Sequence, residues 1–173
     1  YLGIDAELQA YGEALLKNKT GSIVAIEPST GQVLALVTSP AYDPNQLVGR
    51  VRGENYSKLL NDSLKPLVNR ATSGIYPPGS TFKMVNGLIA LQSGVVKPNY
   101  TYPCYGTESQ PIRCTHYHSN SVALYEAIEN SCNPYFWETF KEMFASPNFS
   151  STKEAYQYWY DLVTSFGLGS TFK

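Results

Sequence analysis

Ser80 and Lys83 stand three residues apart, directly after the run Gly74-Ile75-Tyr76-Pro77-Pro78-Gly79, and a hydroxyl and an amine at that spacing can serve as nucleophile and base. Thr81 to Ser93 carries apolar residues at Phe82, Val85, Leu88, Ile89 and Leu91, close to the helical period, so a helix is predicted to begin at or beside Ser80. Residues three apart on a helix share a face, which brings the Ser80 hydroxyl within hydrogen-bond reach of the Lys83 amine. An amine is a base only when neutral. Burial in an apolar pocket and the positive end of the helix dipole both disfavour the ammonium form, so this location pushes the lysine in the useful direction. The pattern is short, and it also fits an N-capping serine followed by a surface lysine.

A second group of reactive side chains lies downstream. All three cysteines and both histidines of the chain fall between Cys104 and Cys132, at Cys104, Cys114, His116, His118 and Cys132. Three thiolates with one imidazole are a recognised tetrahedral zinc set; four protein ligands leave no place for water, so such an ion would be structural.

These residues need elements to hold them. Ile4 to Lys17 has helical spacing at Ile4, Leu8, Tyr11, Leu15 and Leu16, and reads as a lid helix or a layer against a sheet. Ser22 to Ile26 and Gln32 to Thr38 are β-branched runs joined by a turn-rich link, and read as a hairpin with both strands well buried. Two strands are not a stable sheet, so an exposed edge is expected. Pro40 to Asn69 reads as a surface connection with a short helical patch around Tyr56 to Leu60. Lys97 to Asn120 is irregular, Ser121 to Ile128 a short helix, Pro134 the first turn of another, and Ala155 to Phe166 a last helix.

At 173 residues and 43% hydrophobic content the chain is the size of one domain and can bury a core. A net charge of −1, spread along the sequence, leaves no basic stripe for nucleic acid and no polybasic membrane patch. The longest apolar runs fall far short of the ~20 residues that span a bilayer, and no secretory leader pattern starts at Tyr1.

The S-x-x-K of Ser80 to Lys83, followed by Ser131-Cys132-Asn133 and Pro134, resembles the first two of three signature motifs of penicillin-binding proteins and serine β-lactamases, whose third is a K-T-G strand. Gly21-Ser22-Ile23-Val24-Ala25-Ile26, Pro28 to Val37, Pro40 to Asn45 and Asn69-Arg70-Ala71 narrow the likeness to the transpeptidase domain of class B penicillin-binding proteins, most of all the elongation-type penicillin-binding protein 2 family. It covers nearly the whole chain. The resemblance implies an α/β (α+β) transpeptidase fold of the penicillin-binding/β-lactamase-like kind, an antiparallel sheet flanked by helices. Residues 1–39 would supply a helix and the hairpin of the sheet, 40–72 a connection, and 73–173 a helical subdomain carrying both motifs. No K-T-G follows Asn133, so the chain is expected to be the N-terminal part of one transpeptidase domain, incomplete on that side.

By the same resemblance, the activity is D,D-transpeptidation of peptidoglycan stem peptides. Ser80 would attack the penultimate D-alanine, Lys83 take its proton, Ser131 relay a proton to the leaving amine, and Asn133 hold the substrate's peptide backbone. The Ser80 backbone N–H would be one oxyanion donor, worth roughly 3 kcal/mol. β-Lactams would acylate the same serine. A β-lactam hydrolase or sensor shares both motifs and is the alternative, and a non-catalytic fragment the third possibility. Among the histidines, His118 is preferred to His116 as a zinc ligand because the family often has a histidine near this point, giving Cys104, Cys114, His118 and Cys132; the family's oxidising periplasm implies the competing reading, a Cys104–Cys114 disulfide with Cys132 free and buried. The resemblance further implies the periplasmic face of the inner membrane, an anchor outside this chain, and membrane proteins of the elongation machinery as partners. Ser170-Thr171-Phe172-Lys173 repeats the Ser80 string after Phe166-Gly167-Leu168-Gly169, which resembles the family's F-G-x-G landmark, and reads as coincidence or the start of a strand.

Overall fold

The structure is a computed structural model that describes residues 2–169. It divides into two compact units, Tyr1–Tyr76 and Pro77–Lys173.

In the first unit, Asp5 caps helix α1 (Ala6–Leu15) by accepting from the backbone N–H of Glu7 and Leu8. Strands β1 (Gly21–Ile26) and β2 (Val33–Ser39) pair antiparallel, with a register shift between Ala25 and Ile26. Burial is one-sided. Ala35 and Val37 of β2 are buried, whereas Val24 and Ile26 of β1 are exposed, so the expectation of two well-buried strands holds for β2 alone. The reason is α1, which packs on β2: a Cβ on Gly12 would sit 2.9 Å from Val37 Cγ2. The same helix also covers the outer edge of β2. Gln9 Nε2 donates to Leu36 O at 3.2 Å, Leu36 N–H donates to Gln9 Oε1 at 2.8 Å, and Asp5 N–H donates to Leu34 O. A side-chain amide thus stands in for a strand partner.

Residues 40–69 are more helical than the sequence suggested: α2 (Arg52–Asn61) runs ten residues, stapled by Lys58–Glu54. Asn69 caps the short α3 (Arg70–Ser73), and the Arg70 guanidinium donates to the carbonyls of Leu64, Lys65 and Val68.

The second unit begins with a 3₁₀ turn, Gly79–Thr81, that runs into α4 (Phe82–Gln92). Gly94, at φ 73°, ends α4 in the left-handed conformation a glycine accepts freely. The irregular stretch is pinned by a two-residue ladder of β3 (Tyr102–Pro103) and β4 (Ser121–Val122). Residues 121 and 122, expected to open a helix, are therefore strand, and α5 is only Leu124–Glu129. α6 (Asn133–Ala145) carries Pro134 in its first turn, and α7 (Thr152–Ser165) is capped by Ser151.

Two cores hold these elements. One packs Ile89 of α4, Met143 of α6 and Val163 of α7, with Phe82, Phe140 and Trp159 edge to face around them. The other gathers Tyr102, Val122, Leu124, Ala127, Tyr135 and Phe136 with all three cysteines. Among the described residues no helix is long and apolar enough to cross a membrane. Ser170 to Lys173 lies outside the described residues.

Candidate active site

The four motif residues all belong to the second unit. Gly79 takes φ 61°, a turn that strains any residue with a Cβ, and it delivers the exposed Ser80 to the 3₁₀ turn ahead of α4. Lys83 occupies the first turn of α4 and is half-buried. Its amine reaches across to the α5–α6 junction, where Nζ meets Ser131 O at 2.6 Å, Ser131 Oγ at 3.0 Å and Asn133 Oδ1 at 2.5 Å. The ring of Phe136 lies 5.7 Å away. Burial pushes the Lys83 ammonium below its ordinary value, while the nearby sulfurs of Cys132 and Cys114 pull weakly the other way. Among the described residues Ser80 Oγ makes no hydrogen bond, so the expected Ser80–Lys83 contact is not formed; Lys83 faces Ser131 and Asn133 instead.

Ser131 sits at φ 51°, a left-handed conformation for a residue with a side chain, which costs ~1–3 kcal/mol. The strain has a use. It closes the turn that lets Ser131 N–H bond Ile128 O and Cys132 N–H bond Ala127 O, and it leaves Ser131 O and Oγ both facing Lys83. Asn133, first residue of α6, is oriented from two sides: its oxygen accepts from Lys83, and its Nδ2 donates to Arg113 O at 3.0 Å. Arg113 was not singled out by the sequence, and a backbone carbonyl leaves no signal there.

Behind this network lies the sulfur cluster. Sγ of Cys104, Cys114 and Cys132 and a ring nitrogen of His118 all lie within 4.8 Å of one another. All three thiols are free and buried, so the alternative disulfide is not formed in this structure. His118 Nε2 is 3.5 Å from Cys104 Sγ and 3.3 Å from Cys114 Sγ. His118 Nδ1 is 2.8 Å from Ser119 O. A carbonyl can only accept, so Nδ1 carries a proton; a neutral ring turns its Nε2 lone pair to the sulfurs, as a metal ligand would, while a protonated ring, which burial disfavours but the Ser119 carbonyl and the Cys114 sulfur favour more, donates from Nε2 to the thiolate. Ser119 is itself fixed by Glu126 of α5, whose carboxylate accepts from Ser119 N–H at 2.9 Å and Ser119 Oγ at 2.7 Å. Those bonds hold the Glu126 carboxyl below its usual range.

The sulfurs differ among themselves. Burial raises the Cys114 thiol, but hydrogen bonds from His116, His118 and the Asn133 backbone N–H outweigh it and bring it down to about 6. Burial pushes the Cys132 thiol up to about 12. A cleft of about 270 Å³ opens over the cluster, lined by Cys104, Cys114, His116 and His118, so the structure keeps His116 near the cluster while His118 makes the close approach. The letters of the third motif do occur earlier, at Lys19-Thr20-Gly21, where Lys19 Nζ donates to Leu15 O at the end of α1 and serves the helix terminus.

The sequence model of the penicillin binding protein transpeptidase domain matches residues 21–173. Over 149 residues the chain is 38% identical to the peptidoglycan D,D-transpeptidase MrdA of Escherichia coli, covering 83% of this chain and 24% of that protein. A crystal structure of Pseudomonas aeruginosa PBP2 in complex with WCK 5153 is similar at TM-score 0.79 and 34% identity, over 97% of this chain and 36% of that one. A penicillin G acyl-enzyme complex of penicillin-binding protein A from Mycobacterium tuberculosis is similar at TM-score 0.73 and 30% identity, over 97% of this chain and 40% of that one. The chain spans about a quarter of the length of the curated relatives it matches.

Proposed function

Because this chain belongs to the penicillin-binding protein transpeptidase family, we propose that it supplies the nucleophile and proton-transfer groups of a D,D-transpeptidase that cross-links peptidoglycan stem peptides through a serine ester. The observation that carries this reading is the hydrogen-bonded triangle of Lys83, Ser131 and Asn133, one helical turn from Ser80. Ser80 Oγ attacks the carbonyl carbon of the penultimate D-alanine and its proton passes to neutral Lys83. The carbon–nitrogen bond then breaks, the terminal D-alanine leaves as an amine protonated through Ser131, and an ester on Ser80 remains. A second stem peptide's amine attacks that ester, forming the new amide and returning the proton to Ser80. A neutral Lys83 keeps two N–H donors, which Ser131 O and Asn133 Oδ1 accept, and turns its lone pair to the Ser131 hydroxyl. That contact is the proton relay. Asn133, held by Arg113 O, presents its amide to the substrate backbone.

In this reading residues 1–39 contribute the sheet hairpin, 40–72 the connection and 73–173 the helical subdomain, within a longer protein at the periplasmic face of the inner membrane that works with membrane proteins of the elongation machinery. Its chemistry requires no cofactor.

A zinc ion fits as a structural group at Cys104, Cys114, His118 and Cys132. In a tetrahedral site with Zn–S of about 2.3 Å and Zn–N of about 2.0–2.1 Å, sulfur-to-nitrogen edges are about 3.6 Å. The distances of 3.5 and 3.3 Å from His118 Nε2 to two sulfurs are close to that edge, and the Nδ1–H bond to Ser119 O leaves the right nitrogen free. Bound there, the ion would supply a fixed crosslink. Metal analysis with thiol counting tests this, and absence of zinc from protein with reduced thiols would sink it.

Incubation with a fluorescent penicillin, followed by peptide mapping, tests the main reading. A long-lived penicilloyl ester on Ser80, absent from Ser80→Ala, is the expected result. Rapid turnover of the label would mark a β-lactam hydrolase, and absence of label would remove the activity from this chain.

A further inference from the structure

We propose that Cys104 and Cys114 are an oxidation site: two-electron oxidation by a peroxide joins their sulfurs, releases the zinc and loosens the anchor of Asn133. The metal-release part rests on the zinc reading above, while the disulfide stands on the sulfur geometry alone.

Three buried thiols share one cluster, and any two of their sulfurs lie within 4.8 Å. A disulfide needs about 2.05 Å between sulfurs, so closing a pair takes a shift of at most about 2.8 Å. Access and backbone freedom select the pair. All three thiols are buried, at 1% or less exposure, but Cys104 and Cys114 form part of the wall of the cleft of about 270 Å³, and Cys132 does not. A molecule the size of water needs only about 30 Å³, so a peroxide fits the cleft easily. Cys104 and Cys114 also belong to the irregular stretch around the β3–β4 ladder, where Cys104 N–H bonds Asn120 O and Cys114 N–H bonds Gly106 O but neither residue lies in a helix or strand. Cys132 is the N-cap of α6, and its N–H is bonded to Ala127 O at the end of α5.

The chemistry balances with hydrogen peroxide as oxidant. One thiolate attacks a peroxide oxygen, the oxygen–oxygen bond breaks, and a sulfenic acid and hydroxide form. The second thiolate attacks the sulfenic sulfur and expels another hydroxide. Two thiolates and one peroxide become one disulfide and two hydroxides, with both electrons passing from sulfur to oxygen. Only Cys132 and His118 then remain of the ligand set, too few for a closed zinc site.

The consequence reaches the motif by a short covalent path. The peptide before Cys114 carries the Arg113 carbonyl that accepts from Asn133 Nδ2, and Asn133 in turn holds Lys83. Drawing Cys114 toward Cys104 displaces that carbonyl, and loss of the metal removes the tie between Cys132 and the irregular stretch.

The test is peroxide titration of the reduced protein, read by a chromophoric zinc chelator, thiol counting and peptide mapping. The expected result is a fall from three free thiols to one, a Cys104–Cys114 crosslinked peptide, zinc released in step with it, and recovery with dithiothreitol and added zinc. Penicillin acylation should fall by about 10-fold or more in the same step. The Cys132→Ser variant keeps the pair and lacks a ligand, so it should still lose both remaining thiols to the same crosslink. Protein that lacks zinc when reduced but forms the crosslink overturns the zinc reading and leaves the oxidation site standing. A crosslink through Cys132, or oxidation to sulfinic acid without any crosslink, overturns the proposal.

Discussion

A lysine serves as a base only after losing its proton, and burial has moved Lys83 in that direction. Its value in the unfolded chain is about 10.4, and its folded value lies lower. Between the two the folded protein binds fewer protons than the unfolded chain, so this group disfavours folding at low pH and the cost disappears as pH rises through the unfolded value. Acylation of Ser80 should therefore climb with pH on a limb set below the ordinary lysine range, measured as the rate of penicillin labelling across pH. Lys83→Arg keeps a positive charge that does not titrate, and should lower the rate by ~10²–10⁴-fold and erase that limb. A retained limb would assign it to another group. At this scale the sequence disclosed the residue types: Ser80, Lys83, Ser131 and Asn133 are visible as two short strings. It hid their wiring. Helical spacing pairs Ser80 with Lys83, but a long flexible lysine reaches half-buried acceptors instead, and those belong to a turn 48 residues away. The left-handed Ser131 that makes this possible is a non-glycine in a glycine's conformation, which no propensity scale announces.

Among the elements, legibility followed the strength of the local period. α1, α4, α6 and α7 were readable because each presents apolar residues at helical spacing behind a cap or a proline. β3 and β4 were not, since a two-residue ladder has no period and is held by Tyr102 and Val122 in the core around the cysteines. The edge of β2 teaches a related lesson. Gln9 looks like any polar helix residue, yet both ends of its amide are engaged by Leu36. Gln9→Ala should destabilise by ~1–3 kcal/mol, seen as a lower denaturation midpoint, by leaving that backbone pair without a partner in the structure. An unchanged midpoint would mean that water replaces the amide at no cost. Gly87 in α4 gives the opposite sign. A Cβ there would meet Leu124 Cδ1 and Phe136 Cε1 at 3.6 Å, ordinary contact, and Gly87 is not among the residues at positive φ. Gly87→Ala should stabilise by ~0.5–1 kcal/mol through helix propensity and added packing.

For the molecule as a whole, the chemistry is concentrated in one unit. The motif residues, the sulfur cluster and the cleft above it all fall within Pro77–Lys173. Regular structure in that unit is thinnest between α4 and α5, where only four of the described residues are in strands. Bound zinc would close this stretch onto the N-cap of α6 by joining Cys104, Cys114 and His118 to Cys132, and metal binding free energy would then be local folding free energy. Chelation of the zinc-loaded, reduced protein should accordingly raise amide hydrogen exchange over residues 102–122 and at the Ser131 turn. Amides of β1 and β2, which belong to the other unit, should keep their protection. Faster exchange throughout the chain would make the ion a global stabiliser. No change at 102–122 would mean that the hydrophobic packing of Tyr102, Val122 and Tyr135 holds the stretch unaided. The size of the local effect measures how far Asn133 depends on the sulfur cluster, because the Arg113 carbonyl that orients it lies inside the stretch that the metal would close.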